Sequence, residues 1–152
     1  MLTYFFPAVT STFALPLTAY FGLLSARVIA ARKKDHVAFG DGSSSPTSST
    51  KSASATAPSA LLIASRSHGN FVEYVPLALL LAGMAELKGG SKRVLSAALG
   101  GLLAFRVIHT EFGLRVRGGT GKGRVVGFMG TMGVLGGLTG YAAWLGRGYW
   151  GF

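Results

Sequence analysis

Residues 61–87 read LLIASRSHGNFVEYVPLALLLAGMAEL, and this stretch decides the fold. It is long enough to cross about 30 Å of hydrocarbon as a helix. Its second half, residues 74–85, carries no charge, whereas its first half holds Arg66, His68, Asn70 and Glu73. Ionisable side chains inside an apolar run are costly in lipid, so they need partners or a ligand. Arg66, Asn70 and Glu73 stand at i, i+4 and i+7. At 100° per residue they share an arc of about 60° on one helix face. The spacing predicts a polar stripe directed at neighbouring helices. His68 falls about 200° from Arg66, which suits a headgroup-level residue better than a ligand contact.

Three further apolar runs flank this one, giving expected helices at about 4–31, 61–87, 93–114 and 124–146. The first has no charge before Arg27, which argues against a signal peptide with its basic leading region. Pro7 and Pro16 fall inside it, and a kink is the expected result. The fourth has no charge from Val125 to Gly146. Composition agrees. Among 152 residues, 49% are hydrophobic and only 13% charged, about half the usual charged share of soluble domains. Mean hydropathy is +0.45. These values exclude a disordered chain and disfavour a water-soluble globule. With no cysteine there is no disulfide framework, thiolate metal site or cysteine nucleophile, and no metal site is expected.

The net charge is +10. The basic residues cluster at the ends of the apolar runs rather than in a stripe with interleaved aromatics, so nucleic acid is not an expected partner. Arg32, Lys33, Lys34, Lys51, Arg115, Arg117, Lys122 and Arg124 flank one side. Lys88, Lys92, Arg93 and Arg147 flank the other, a split of eight to four. The positive-inside rule then puts the first and third connections in the cytosol and both termini on the opposite side. Tyr4, Tyr149 and Trp150 sit where interfacial aromatic anchors belong. Residues 41–60, rich in Ser, Thr and Ala, lack large apolar side chains and are expected to form a flexible solvated loop. The fold expected is an all-α integral membrane four-helix bundle of left-handed up-down topology, forming a single domain over residues 1–152.

On the third span Arg106 and His109 are i, i+3 neighbours and share a face, while Glu111 points elsewhere and reads as interfacial. The polar residues admit two readings. They pair internally, Glu73 with Arg106 or Arg66 and Asn70 with a facing carbonyl. Alternatively they hold an anionic polar ligand that also needs one acceptor. Arginine forks match carboxylates, Glu73 would receive an ammonium group, and Asn70 would bond an amide. That inventory suits a small peptide such as glutathione. A phosphate ligand would fit the cations but would not need Glu73. On the fourth span Gly133/Gly137 and Gly136/Gly140 have the four-residue spacing that allows close helix approach in lipid. Packing within one bundle is the favoured reading of these glycines and a subunit interface the other.

The run Arg66-Ser-His-Gly-Asn70-Phe-Val-Glu73-Tyr74-Val-Pro76-Leu77 resembles the second-helix signature of the MAPEG family, membrane-associated proteins of eicosanoid and glutathione metabolism, in its small bacterial-type branch. Arg27-Val28-Ile29, Arg32, Gly40-Asp41-Gly42, Glu86-Leu87, Arg106 with His109, and Arg124-Val-Val-Gly127 extend the likeness along the chain. Residues 43–60 look like an insertion relative to it. The resemblance implies a homotrimer with glutathione held between subunits near the cytosolic face. It implies glutathione contacts from Arg66, Asn70, Glu73, Tyr74 and Arg106. It also implies a membrane location, endoplasmic reticulum in a eukaryote or inner membrane in a bacterium. The eicosanoid-forming members carry third-helix tyrosines where this chain has His109 and Gly113, leaving Arg124, Arg117 and His109 as catalytic candidates. The expected activity is glutathione transfer or peroxide reduction on a lipophilic electrophile. The alternatives are a non-catalytic lipid-binding or scaffold protein of the same fold and a small multidrug-type transporter. The transporter would be expected to carry its acidic residue mid-membrane in the first helix, which has none.

Overall fold

The computed structural model describes residues 7–40, 58–116, 119 and 121–151. The Ser-rich tract from 41 to 57, Tyr4, Lys51, Arg117 and the Trp150 side chain lie outside what it describes. Four long helices form the molecule: α1 (Ala8–Asp35), α2 (Ala60–Leu87), α3 (Lys92–His109) and α4 (Gly123–Leu145). The helix of α3 widens into a single π turn at Thr110–Leu114, and a short 3₁₀ turn, Arg147–Trp150, follows α4. Each of the four, α3 taken together with its π turn, is apolar and long enough to cross a membrane. At 1.5 Å per residue α1 and α2 reach about 42 Å, so their ends overhang the hydrocarbon.

The first helix departs from its expected bounds. Pro7 is not inside it but caps it, and the helix continues to Asp35, with Arg32, Lys33 and Lys34 in the last turn. Proline suits the start of a helix because no intrahelical acceptor awaits its missing N–H. Cations suit the end, where carbonyls leave partial negative charge. The helix runs on through Pro16.

The core lies where the helices meet. Phe71, Val75, Ala78, Ala82 and Ala85 form a 4-3-4-3 seam along α2, and Leu95, Leu99 and Leu102 form one along α3. That spacing keeps one edge of a helix facing its neighbours, and alanines let α2 approach closely. Leu17 and Leu24 of α1 and Leu138 and Ala142 of α4 complete the cluster. The α3 seam continues in the same rhythm to Arg106 and His109, both buried. Apolar packing therefore occupies one half of the bundle, and the same register carries two basic side chains into the other half.

Each end of the bundle is fastened by a carboxylate reaching across helices. Glu86, at the end of α2, accepts from Val9 N–H at 2.7 Å, Thr10 N–H at 2.8 Å and the Thr10 hydroxyl at 2.8 Å. It supplies the cap that Pro7 lacks and places its charge at the positive end of α1. At the other end Glu111 meets Arg27 at 2.5 Å and Arg115 at 3.3 Å, and accepts from the Tyr20 hydroxyl at 3.3 Å. Glu111 is therefore not merely interfacial: the π turn after α3 brings it back toward α1.

Candidate functional site

Arg106 is the centre of the buried polar half, with 2% of its surface exposed. Its Nη1 donates to the Asn70 side-chain oxygen at short range and to the Asn70 carbonyl at 3.2 Å. Its Nη2 donates to the Gly127 carbonyl at 3.3 Å. The Tyr74 ring lies under the guanidinium, 5.3 Å from centroid to carbon, and Phe128 meets Tyr74 edge-on. A cation over an aromatic face gains electrostatic attraction, more so when water is excluded. Because Arg106 takes the Asn70 oxygen, the Asn70 amide is left to present its NH₂ as a donor.

The α3–α4 contact that supports this cluster depends on small residues. A Cβ on Gly127 would lie 2.5 Å from the Phe105 carbonyl and the His109 Cβ, and one on Gly130 would run into the Phe105 ring. The close approach lets His109 Nδ1 reach the Arg124 carbonyl at 2.9 Å. A carbonyl only accepts, so Nδ1 carries the proton there. In the neutral ring, Nε2 then keeps the lone pair.

Beside this cluster a cavity of about 530 Å³ opens, lined by Arg66, Asn70, His109, Leu114, Arg124, Val125 and Phe128. Arg124 and Arg66 are exposed. The Arg124 Nη1 donates to the Gly119 carbonyl at 3.3 Å, and Arg66 has no protein partner among the described residues. The cavity presents two guanidinium groups, one amide donor and one imidazole, over an apolar wall. This is a donor-rich surface that favours an anionic ligand.

The structure brings together four of the predicted residues, Arg66, Asn70, His109 and Arg124, and sets Arg106 behind them. Tyr74 lies against Arg106 rather than on the cavity wall. Glu73 is exposed, outside the cavity, and has no hydrogen bond or ion pair among the described residues. The stripe on α2 therefore does not point as a unit into its own bundle. Asn70 and Tyr74 turn toward α3, whereas Arg66 and Glu73, nearly in phase with each other, mark the outer edge. The expected pairing of Glu73 with Arg106 or Arg66 is absent, since Arg106 is already engaged by Asn70. His68 packs on the Phe21 ring with centroids 5.1 Å apart. Arg117 lies outside the described residues.

Two features were not foreseen. Gly113, in the π turn, has no room for a side chain: a Cβ there would lie 2.5 Å from the Arg124 backbone nitrogen. The first turn of α4 occupies that space. The buried role of Arg106 was signalled by its place in the Leu95, Leu99, Leu102 register, although its partner was not.

The geometry is a four-span bundle with a polar pocket framed by the second and third helices and the start of the fourth. Among known families, the MAPEG family matches residues 10–144. The chain belongs to the MAPEG family. No curated protein and no solved structure matches it. As a MAPEG protein with four apolar helices it is a multi-pass integral membrane protein.

Proposed function

We propose that this MAPEG protein binds glutathione in the cavity framed by Arg66, Asn70, His109 and Arg124 and uses it as a transferase or peroxidase on a lipophilic electrophile. The observation that carries the reading is the donor set of that cavity within a family of glutathione-related membrane proteins. Its volume of about 530 Å³ lies within the common range for small-molecule sites, about 300–1,000 Å³. Arg66 would take a carboxylate in bidentate fashion. Asn70, its polarity set by Arg106, would donate to a peptide or carboxylate oxygen. Glu73, on the outer edge, would take the amino group of the tripeptide, which then spans from the cavity to the rim.

A site with its acidic member on the rim is completed by a second copy, and the reading includes a homotrimer. Support comes from α4. Cβ atoms on Gly133, Gly136, Gly137 and Gly140 would meet nothing within 4 Å. These glycines do not pack inside the bundle, contrary to the favoured expectation. In lipid such a face suits close approach by another helix.

Chemistry requires the glutathione thiol as thiolate. With Gly113 in place of a phenol, the donors left to favour that form are the Arg124 guanidinium and His109. The lipophilic acceptor would arrive from the bilayer, and the cavity end of the bundle would face the cytosol. In detergent, Arg66→Ala should weaken glutathione binding at least tenfold, a loss of about 1.4 kcal/mol, and Glu73→Ala should weaken it less. Isothermal titration measures both, and unchanged affinity in both variants removes the proposal. A second reading, a non-catalytic binding protein of the same fold, draws on Gly113. Turnover of a chlorodinitrobenzene by the purified protein would count against it.

A further inference from the structure

A second cavity, of about 240 Å³, opens between α1 and α2 and shares no lining residue with the first. Leu24 and Ala31 on one wall and Ala60, Ile63 and Ala64 on the other make it apolar and narrow. Arg27 and Arg115 stand at the same cavity. Beyond it the last turn of α1 carries Arg32, Lys33 and Lys34 ahead of its final residue, Asp35. Three cations in succession do not sit in hydrocarbon, so the cavity lies where acyl chains give way to headgroups.

The charge here is not balanced. Glu111 is the only hydrogen-bond or ion-pair partner of the Arg27 and Arg115 side chains among the described residues. Two guanidinium groups against one carboxylate leave a surplus of one positive charge. Each arginine has five N–H donors, so most remain unused. Lys34 follows Arg27 and Ala31 at i+7 and i+3, on the same face of α1 to within about 60°. It carries the positive strip outward from the cavity mouth.

We propose that this groove seats an anionic bilayer phospholipid, its phosphodiester on Arg27 and Arg115 and one acyl chain along the alanine walls. A phosphodiester is a monoanion, matching the surplus, and its oxygens fit the guanidinium fork. A free hydrated anion would lose water against Leu24, Ile63 and the alanines with nothing to replace it. A lipid brings hydrocarbon for those walls, whereas a zwitterionic headgroup brings an ammonium group to a site already positive. Basic pockets between membrane helices hold anionic headgroups by the same means.

Native mass spectrometry of the detergent-solubilised full chain tests this with phosphatidylglycerol and phosphatidylcholine of identical acyl chains. Phosphatidylglycerol should be retained preferentially. Arg115→Gln should lower its retention roughly fivefold, and Ala64→Leu, which narrows the groove and keeps both arginines, should lower it as well. Both variants keep the Arg27–Glu111 pair, so neither depends on breaking the fold. Lys33→Gln, turned about 120° from Arg27 on α1, should change nothing. Equal retention of the two lipids overturns the proposal. So does a Lys33→Gln loss equal to that of Arg115→Gln, which would mean diffuse surface charge. Displacement of the lipid by millimolar inorganic phosphate also overturns it, since the site would then take a free anion.

Discussion

The two halves of α4 carry the same residue type to opposite ends. Near its start, Gly127 and Gly130 are pressed against Phe105 and His109 with no space for a methyl group. Farther on, Cβ atoms on Gly133, Gly136, Gly137 and Gly140 would meet nothing within 4 Å among the described residues, and Gly133 and Gly137 line an open groove beside Val94 and Ala98. The first pair holds α3 so close that Arg106 reaches the Gly127 carbonyl and His109 reaches the Arg124 carbonyl. The second group leaves a bare helix face. Glycine therefore builds the pocket in one half and exposes backbone in the other, and only the neighbour distinguishes the two uses.

Substitutions can break that contrast. Gly127→Ala should have the largest effect. Its new methyl group meets backbone and Cβ atoms of α3, so the helices must part, at about 1–3 kcal/mol. Thermal unfolding in detergent should show a lower midpoint, and glutathione affinity should fall with it because His109 moves. An unchanged midpoint would mean that the two halves pack alike.

Arg106→Met should follow. It keeps bulk but leaves the Asn70 side-chain oxygen without its donor, at about 1–3 kcal/mol, while the Gly127 carbonyl keeps the Thr131 hydroxyl. The same unfolding measurement checks it, and titration should show weaker glutathione binding as the Asn70 amide loses its fixed orientation. Stability falling with affinity intact would separate Arg106 from the site.

The smallest effect on the folded chain belongs to Gly137→Leu, since no described atom lies within 4 Å of a Cβ there and the position borders an open groove. Unfolding should shift by no more than about 0.5 kcal/mol. Light scattering in detergent should nonetheless show the proposed homotrimer giving way to smaller species. A trimer that persists would leave the bare face of α4 without its proposed use.

The carboxylates offer a parallel contrast in how far a sequence can be read. Glu86, Glu111 and Glu73 all lie in apolar helical stretches. Glu86 and Glu111 are taken up by partners 77 and 84 positions away, and Glu73 is left on the rim. Nothing local to the three separates them. The period of α2 correctly put Arg66, Asn70 and Glu73 on one face but not the direction in which that face points. The stripe straddles the bundle edge, so Asn70 is inside and Glu73 outside. Pro7 shows the same limit at a boundary: an unbroken apolar run hid the place where Glu86 caps the helix.

Four spans, their approximate limits and an all-α membrane bundle were fixed by the chain alone, because bilayer thickness sets how long an apolar run must be. Helix period also fixed which residues share a face. Tertiary structure decided the rest: Asn70 rather than Glu73 as the partner of Arg106, Glu111 as the link to Arg27, and the half of α4 that packs. The physical reason is rotational. Sequence spacing gives the phase of side chains around one helix, whereas the turn of each helix against its neighbours emerges only when the whole seam of Leu, Ala and Gly closes.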